Sequence, residues 1–338
     1  MHRCLQLAKL AAGNVAPNPM VGAVLVHNAK IIGEGYHQKF GEAHAEVNCI
    51  NKVKEEDKNL IDKSTLYVSL EPCSHFGKTP PCTDLIIKNK IPKVVIGCKD
   101  VYVDVNGKGI EKLQNAGVEV TTGVLEKESI ELNKRFFTFH KQKRPYIILK
   151  WAESANEKIG SHKERIYITN EYTNRLVHKW RSEESSILIG TNTALQDDPS
   201  LTTRSWKGND PVRLIMDMQL RLPSHLKIFD QEARTIIFNK HKHEEEGNLK
   251  FYKLEEKNII EELIKTLYKL KIQSVLIEGG ARLLQSFIDA GLWDEARVIR
   301  NEELTIADGI NSPDLKSAVL QKQEKYFSDV VSYFYQSS

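Results

Sequence analysis

Long apolar runs are missing from this chain. The longest near the start, Met20 to Val26, is far short of the roughly 20 residues that span a bilayer, so neither a membrane helix nor a signal peptide is expected. Charge of one sign is missing too: 48 basic residues stand against 45 acidic ones, interspersed over most of the chain, for a net charge of only +3. That balance argues against a nucleic-acid surface. Cysteine is sparse, and Cys4, Cys49, Cys73, Cys82 and Cys98 are odd in number and not spaced as a disulfide framework, which makes a reducing cytoplasm the expected home. What is present is globular in character, with 41% hydrophobic and 28% charged residues, and 338 residues predict two domains.

Periodicity predicts an α/β chain throughout. An apolar hairpin, 20–26 and 30–35, is followed by strands at 64–70 and 93–97, with helices at 45–53, 83–89 and 109–116, the last ended by Gly117. This reads as an α/β/α layered sheet. The polar, Pro-terminated stretch Lys141-Gln142-Lys143-Arg144-Pro145 sets the expected boundary, giving domains 1–144 and 145–338. Beyond it, strands are predicted at 146–151, 187–189, 212–216, 235–238, 274–277 and 296–299, and helices at 171–181, 259–270 and 281–290. The charge-rich stretch 241–250 reads as a solvated loop.

The strongest chemical signal is His44-Ala45-Glu46, followed after a strand by Pro72-Cys73 and, eight intervening residues later, Cys82. One imidazole and two thiolates suit Zn²⁺ and leave the open fourth position of a catalytic rather than a structural site. If His44 opens a helix, Glu46 projects toward the same site without ligating and is placed to shuttle protons; His-x-Glu with Pro-Cys is the zinc deaminase pattern. Cys73 and Cys82 are expected near helix starts, where the dipole favours thiolate. Cys4, Cys49 and Cys98 read as buried small hydrophobes.

The motifs Pro17-Asn18-Pro19-Met20-Val21-Gly22, Gly35-Tyr36-His37, Gly41-Glu42-Ala43-His44-Ala45-Glu46 and Glu71-Pro72-Cys73-Ser74-His75-Phe76-Gly77-Lys78-Thr79-Pro80-Pro81-Cys82 resemble the deaminase half of the bifunctional riboflavin-biosynthesis family RibD. Most zinc nucleobase deaminases place two residues between their cysteines, and the eight here distinguish the riboflavin branch. The resemblance implies a phosphorylated pyrimidine as substrate, contacted by Asn18, His37, His75, Lys78 and Asp100. His75 and Lys78 add donors where a sugar phosphate needs its charge compensated. One departure stands out: the family follows its Asp with Pro-Asn-Pro, whereas Asp100 is followed by Val101-Tyr102-Val103-Asp104.

In the second half, Glu278-Gly279-Gly280 ends a strand and opens a helix, where bare N–H groups suit a pyrophosphate. Without a Gly-x-Gly-x-x-Gly fingerprint there, Rossmann binding is disfavoured. Taken in order with Lys150-Trp151-Ala152, Ile168-Thr169-Asn170 and the run Gly190 to Arg204, it resembles the reductase half of the same family, which has a dihydrofolate-reductase-like fold and uses NADPH. By matching positions the resemblance assigns Lys150, Arg181, Leu201, Arg204 and Glu278 to the substrate, and Ala152, Tyr167, Thr169, Thr193, Asp197, Gly279, Gly280 and Ala281 to NADPH. Lys150, Asp197 and Glu278 are the candidates for proton handling. The family's Ser-Leu-Asp-Gly-Lys is here Ser154-Ala155-Asn156-Glu157-Lys158, and Asn still suits a turn.

The reading is a bifunctional enzyme that deaminates 2,5-diamino-6-(5-phosphoribosylamino)pyrimidin-4(3H)-one and then reduces the ribosyl group of the product to ribityl. A homo-oligomer with small-molecule partners is expected. Two other readings compete: a deaminase of free or RNA-borne cytosine or adenine, opposed by the near-neutral charge and the eight-residue insert, and a zinc-stabilised binding module, to which Glu46 would be useless.

Overall fold

The computed structural model describes residues 1–76, 80–102, 105–163, 165–255 and 257–337, and its contacts divide it into two units, Met1–Lys143 and Arg144–Ser338. In the first, α1 (His2–Lys9) precedes a hairpin of β1 (Gly22–His27) and β2 (Lys30–Tyr36). The hairpin turns on Asn28 and Ala29, whose positive φ values of 45° and 63° match the twist of the flanking strands. Then follow α2 (Ala45–Asn51), β3 (Thr65–Leu70), α3 (Cys82–Lys88), β4 (Lys93–Cys98), α4 (Lys108–Asn115), β5 (Glu119–Thr121), α5 (Glu126–Leu132) and α6 (Lys134–Gln142). Among the described residues the sheet runs β2-β1-β3-β4-β5, with β1 antiparallel to both neighbours and β3, β4 and β5 parallel.

Two close approaches fix the first unit. A Cβ on Gly35 would lie 2.3 Å from the Cys49 nitrogen and 2.6 Å from the Ala45 oxygen, so only glycine lets β2 and α2 meet this closely. Asn133, between α5 and α6, accepts from the Met20 N–H at 2.8 Å and donates to the Met20 carbonyl at 2.9 Å, while Phe136 and Phe137 of α6 cover Leu70 and Cys98.

The second unit contains β6 (Tyr146–Ser154), β7 (Lys158–Ser161), α7 (Glu171–Glu183), β8 (Ser186–Gly190), α8 (Thr191–Asp197), β9 (Val212–Met216) and β10 (Thr235–Asn239). It continues through β11 (Glu244–Glu246), β12 (Leu249–Lys253), α9 (Ile259–Lys269), β13 (Ser274–Glu278), α10 (Ala281–Asp289), β14 (Glu295–Asn301), β15 (Gly309–Asn311), β16 (Ala318–Tyr326) and β17 (Asp329–Gln336). Its main sheet, among the described residues, is ordered β11-β12-β10-β9-β8-β13-β6-β14-β17-β16. Strands β12 through β14 in that order are parallel, and the two edges are antiparallel.

The parallel strands are apolar on both faces because both are covered. Ile147, Leu149, Val275 and Ile277 face Leu263, Leu267, Leu284 and Phe287 of α9 and α10, whereas Ile148 and Leu276 face Val177 and Trp180 of α7. Residues 241–250 are not the loop their charge suggests. They include the exposed β11 and the start of β12, turned at Gly247 with φ 58°, and the glutamates make a charged outer edge that discourages further strand pairing.

Candidate active sites

At the first site His44 is the N-cap of α2, Glu46 lies in that helix's first turn, and Cys82 is the first residue of α3. Cys73 is in the loop after β3 rather than at a helix start, which corrects the expectation for it. It is tied to α3 all the same. The Cys82 N–H donates to its sulfur at 3.4 Å, and Thr83 donates to its carbonyl from both N and Oγ1 at 3.2 Å.

Nδ1 of His44 lies 3.5 Å from the Cys73 sulfur and 3.3 Å from the Cys82 sulfur. Bonds of about 2.0–2.1 Å to nitrogen and 2.3 Å to sulfur in a tetrahedron would separate these atoms by about 3.6 Å, so the donor set fits zinc. All three ligand atoms lie within 4.8 Å of one another, and among the described residues no fourth His, Cys, Asp or Glu joins them. The Cys73 thiol is driven toward thiolate by hydrogen bonds from Cys82 and His44, and the same bonds raise Cys82 and His44. Glu46 is buried, and burial, reinforced by the Cys73 charge, pushes its carboxyl up against the pull of His44.

His37 is buried with both ring nitrogens engaged: Nδ1 is 3.1 Å from the Ala43 carbonyl, and Nε2 is 3.1 Å from Nδ2 of Asn18. A carbonyl only accepts, so Nδ1 carries the proton and Nε2 accepts from Asn18. Burial lowers the pKa of His37, which keeps it neutral in that role. Asp100 is buried, its Oδ1 accepts from the Tyr102 N–H at 2.8 Å, and burial pushes its carboxyl up to about 6. His75 is exposed, 6.2 Å from the Tyr102 ring, which meets His140 edge-on at 5.3 Å. Lys78 lies outside the described residues.

The second site opens at the carboxyl ends of parallel strands, where crevices form in such sheets. A cleft of about 550 Å³ is lined by Lys150, Ala152, Tyr167, Thr169, Arg181, Thr193, Asp197, Leu201, Glu278, Gly279, Gly280 and Ala281. Arg204, exposed, lines an adjoining cleft of about 440 Å³. Lys150 and Glu278 are register partners on β6 and β13, with Nζ 3.5 Å from Oε2. Burial alone would raise the Glu278 carboxyl, but Arg181 and Lys150 outweigh it and hold it at about 2. Lys150 is itself lowered, chiefly by burial. Thr193 Oγ1 accepts from the Gly280 N–H at 2.9 Å, and a Cβ on Gly279 would lie 2.9 Å from the same oxygen. The Gly280 N–H is thus taken by Thr193, and side-chain-free glycine backbone packs on that residue just before α10.

Sequence reasoning missed His178. It is buried one turn before Arg181 on α7 and lines the adjoining cleft, and its Nδ1 has no hydrogen-bond partner among the described residues. Burial, then Arg181 and Arg204, push its pKa down to about 4. The only signal was its i, i+3 spacing to Arg181.

Residues 1–98 match the family description "Cytidine and deoxycytidylate deaminase zinc-binding region", and 145–301 match "RibD C-terminal domain". The riboflavin biosynthesis protein RibD of Aquifex aeolicus (strain VF5) is 41% identical over 356 residues, covering 99% of this chain and 97% of that one. The chain belongs to the RibD family. The Escherichia coli (strain K12) RibD is 35% identical over 87% of this chain and 84% of its own. Among solved RibD-family structures, a diaminohydroxyphosphoribosylaminopyrimidine deaminase/5-amino-6-(5-phosphoribosylamino)uracil reductase from Thermotoga maritima matches with TM-score 0.91 and 35% identity, over 99% of this chain and 97% of that one. Acinetobacter baumannii RibD, form 1, matches with TM-score 0.89 and 30% identity, over 100% and 98%. The chain is therefore a bifunctional deaminase and reductase of riboflavin biosynthesis, with a zinc-binding deaminase region and an NADPH-dependent reductase domain. Among the described residues no helix is long and apolar enough to cross a membrane.

Proposed function

We propose that the first unit hydrolyses 2,5-diamino-6-(5-phosphoribosylamino)pyrimidin-4(3H)-one and that the second reduces the resulting 5-amino-6-(5-phosphoribosylamino)uracil, with the working boundary between residues 144 and 145. The observation that carries the reading is the convergence of His44 Nδ1 and the Cys73 and Cys82 sulfurs beside the buried Glu46. Zinc held there supplies a Lewis acid that makes water nucleophilic near neutral pH. Glu46, raised by burial, takes the proton of the attacking water and delivers protons to the ring nitrogen and to the departing ammonia. Asn18, held by His37, and Asp100 bind the ring and its sugar, and His75 and Lys78 compensate the charge of the phosphate.

NADPH bound in the second cleft would supply a hydride, the chemistry needed at C1′ of the opened ribosyl group. Lys150, its pKa lowered by burial, provides the balancing proton, Glu278 orients Lys150 and Arg181, and Asp197 serves as a second proton-handling group. Arg181, Leu201 and Arg204 contact the substrate. The backbone at Gly279, Gly280 and Ala281, with Ala152, Tyr167, Thr169 and Thr193, receives the dinucleotide. The balanced charge favours small molecules over nucleic acid, and the free cysteines suit a reducing cytoplasm. For a homo-oligomer the support is the outer edge of β16, where Val319 and Leu320 are exposed.

Purified protein given the diamino substrate, cytidine or tRNA, with NADPH absorbance followed, tests the assignment. Ammonia release from the diamino compound followed by NADPH consumption is expected. Turnover of cytidine alone overturns it. Glu46→Gln retains zinc and loses ammonia release, whereas Lys150→Ala keeps deamination and loses NADPH oxidation.

A further inference from the structure

Glu71 follows β3 directly and precedes Pro72 and Cys73, and it is buried. Its own N–H donates to the Cys98 carbonyl at 3.0 Å. Four backbone N–H groups donate to its carboxylate: those of Asp100 at 3.1 Å and Gly107 at 2.9 Å to Oε2, and those of Gly109 at 3.0 Å and Ile110 at 3.3 Å to Oε1. Among the described residues no cation pairs with it, so its charge is met by amides alone, as in an anion-holding nest. The donors bracket the segment after β4, with Asp100 at its start, Gly107 at its end as the N-cap of α4, and Gly109 and Ile110 in the first turn of α4. The fit is close. A Cβ on Gly109 would lie 2.1 Å from the Pro72 carbonyl oxygen and 3.2 Å from Glu71 Oε1, and Gly107 has φ 94°.

One carboxylate therefore fastens both ends of this loop to the peptide that leads into a zinc ligand. We propose that Glu71 is a positioning residue for the deaminase: it touches neither substrate nor proton, and it sets Asp100 relative to Cys73. The proposal rests on the reading of Asp100 as a substrate contact.

Glu71→Gln keeps the size but replaces one acceptor oxygen by an NH₂ that faces N–H groups. In the zinc-loaded full chain we expect the KM for the diamino substrate to rise about ten-fold with kcat nearly unchanged. Zinc content should be retained, and hydrogen exchange at the amides of 100, 107, 109 and 110 should accelerate. NADPH oxidation on the aminouracil substrate should be unaltered. If Glu71→Gln does not fold, Glu71→Asp, which keeps the charge but shortens the reach, is held to the same readouts. Loss of zinc that accounts for all lost activity, or faster exchange with an unchanged KM, overturns the proposal. Asp100→Asn separates the two claims: a raised KM there with none in the Glu71 variant sinks the Glu71 role alone, and no rise in either sinks the Asp100 reading and this proposal with it.

Discussion

Arg181 grips both carboxylate oxygens of Glu278, with Nε 2.9 Å from Oε1 and Nη2 2.8 Å from Oε2. Lys150 shares the second oxygen, so two cations meet one anion and the reductase cleft keeps a surplus positive charge for a phosphorylated substrate. Removing the anion would leave two buried cations facing each other.

Glu278→Gln should destabilise the second unit by about 3–5 kcal/mol at neutral pH, the usual cost of breaking a buried pair. The pH dependence follows from the sign of the shift. The folded carboxyl sits at about 2, below its ordinary 4.5, so its stabilisation is complete above about 4.5 and is lost as pH falls from there to about 2. The gap between wild type and variant in denaturant titrations at pH 7, 5 and 3 should hold constant, then narrow. All four tryptophans lie in the second unit, which makes indole fluorescence the natural signal. A gap that widens toward pH 3 would contradict the geometry.

The role proposed for His37 is to hold Asn18, in place of the direct substrate contact expected from the sequence. His37→Ala should raise the deaminase KM about ten-fold while zinc stays bound, because the Asn18 amide loses its acceptor. Combined with Asn18→Ala, the two losses should be strongly non-additive. Additive losses in steady-state kinetics would mean that His37 meets substrate on its own.

Gly35→Ala places a methyl 2.3 Å from the Cys49 nitrogen. The clash is with helix backbone, so α2 must shift, at a cost of at least the 1–3 kcal/mol typical of overpacking. The same shift moves His44 and Glu46, so thermal unfolding and zinc affinity should fall together. Unchanged zinc affinity would show that the helix start is not held by this contact.

Cys82→Ser should lower zinc affinity by more than the ten- to hundred-fold typical of an outer-shell change. Deamination should stop, and NADPH oxidation on supplied aminouracil substrate should continue. Metal analysis and the two separate assays decide it; a variant with full zinc occupancy would mean that this sulfur is not a ligand.

The local features were readable from the residues. His44, Cys73 and Cys82 come together as their spacing implied, because a helix cap, a strand exit and a helix start are short-range features. The reductase residues converge for a related reason: β8 and β13 end at one rim, level with Lys150 inside β6, and the motifs sit there. Features set by distant pairing were hidden. Nothing around Glu71 in the sequence shows that amides some 30 to 40 residues later will close on it, and His178 gains meaning only when Arg204 is brought beside it. The glutamates of β11 and the polar stretch 321–325 of β16 carry no apolar alternation to mark them as strands, because edge positions need solubility more than burial.

The clasp between Asn133 and Met20 decides where a knife may fall. A fragment cut after residue 98, where the zinc-binding match stops, would strip Leu70 and Cys98 of their phenylalanine cover and set Met20 loose, two positions from Asn18. Anyone grafting this deaminase onto another scaffold must carry the chain through the end of α6 at Gln142.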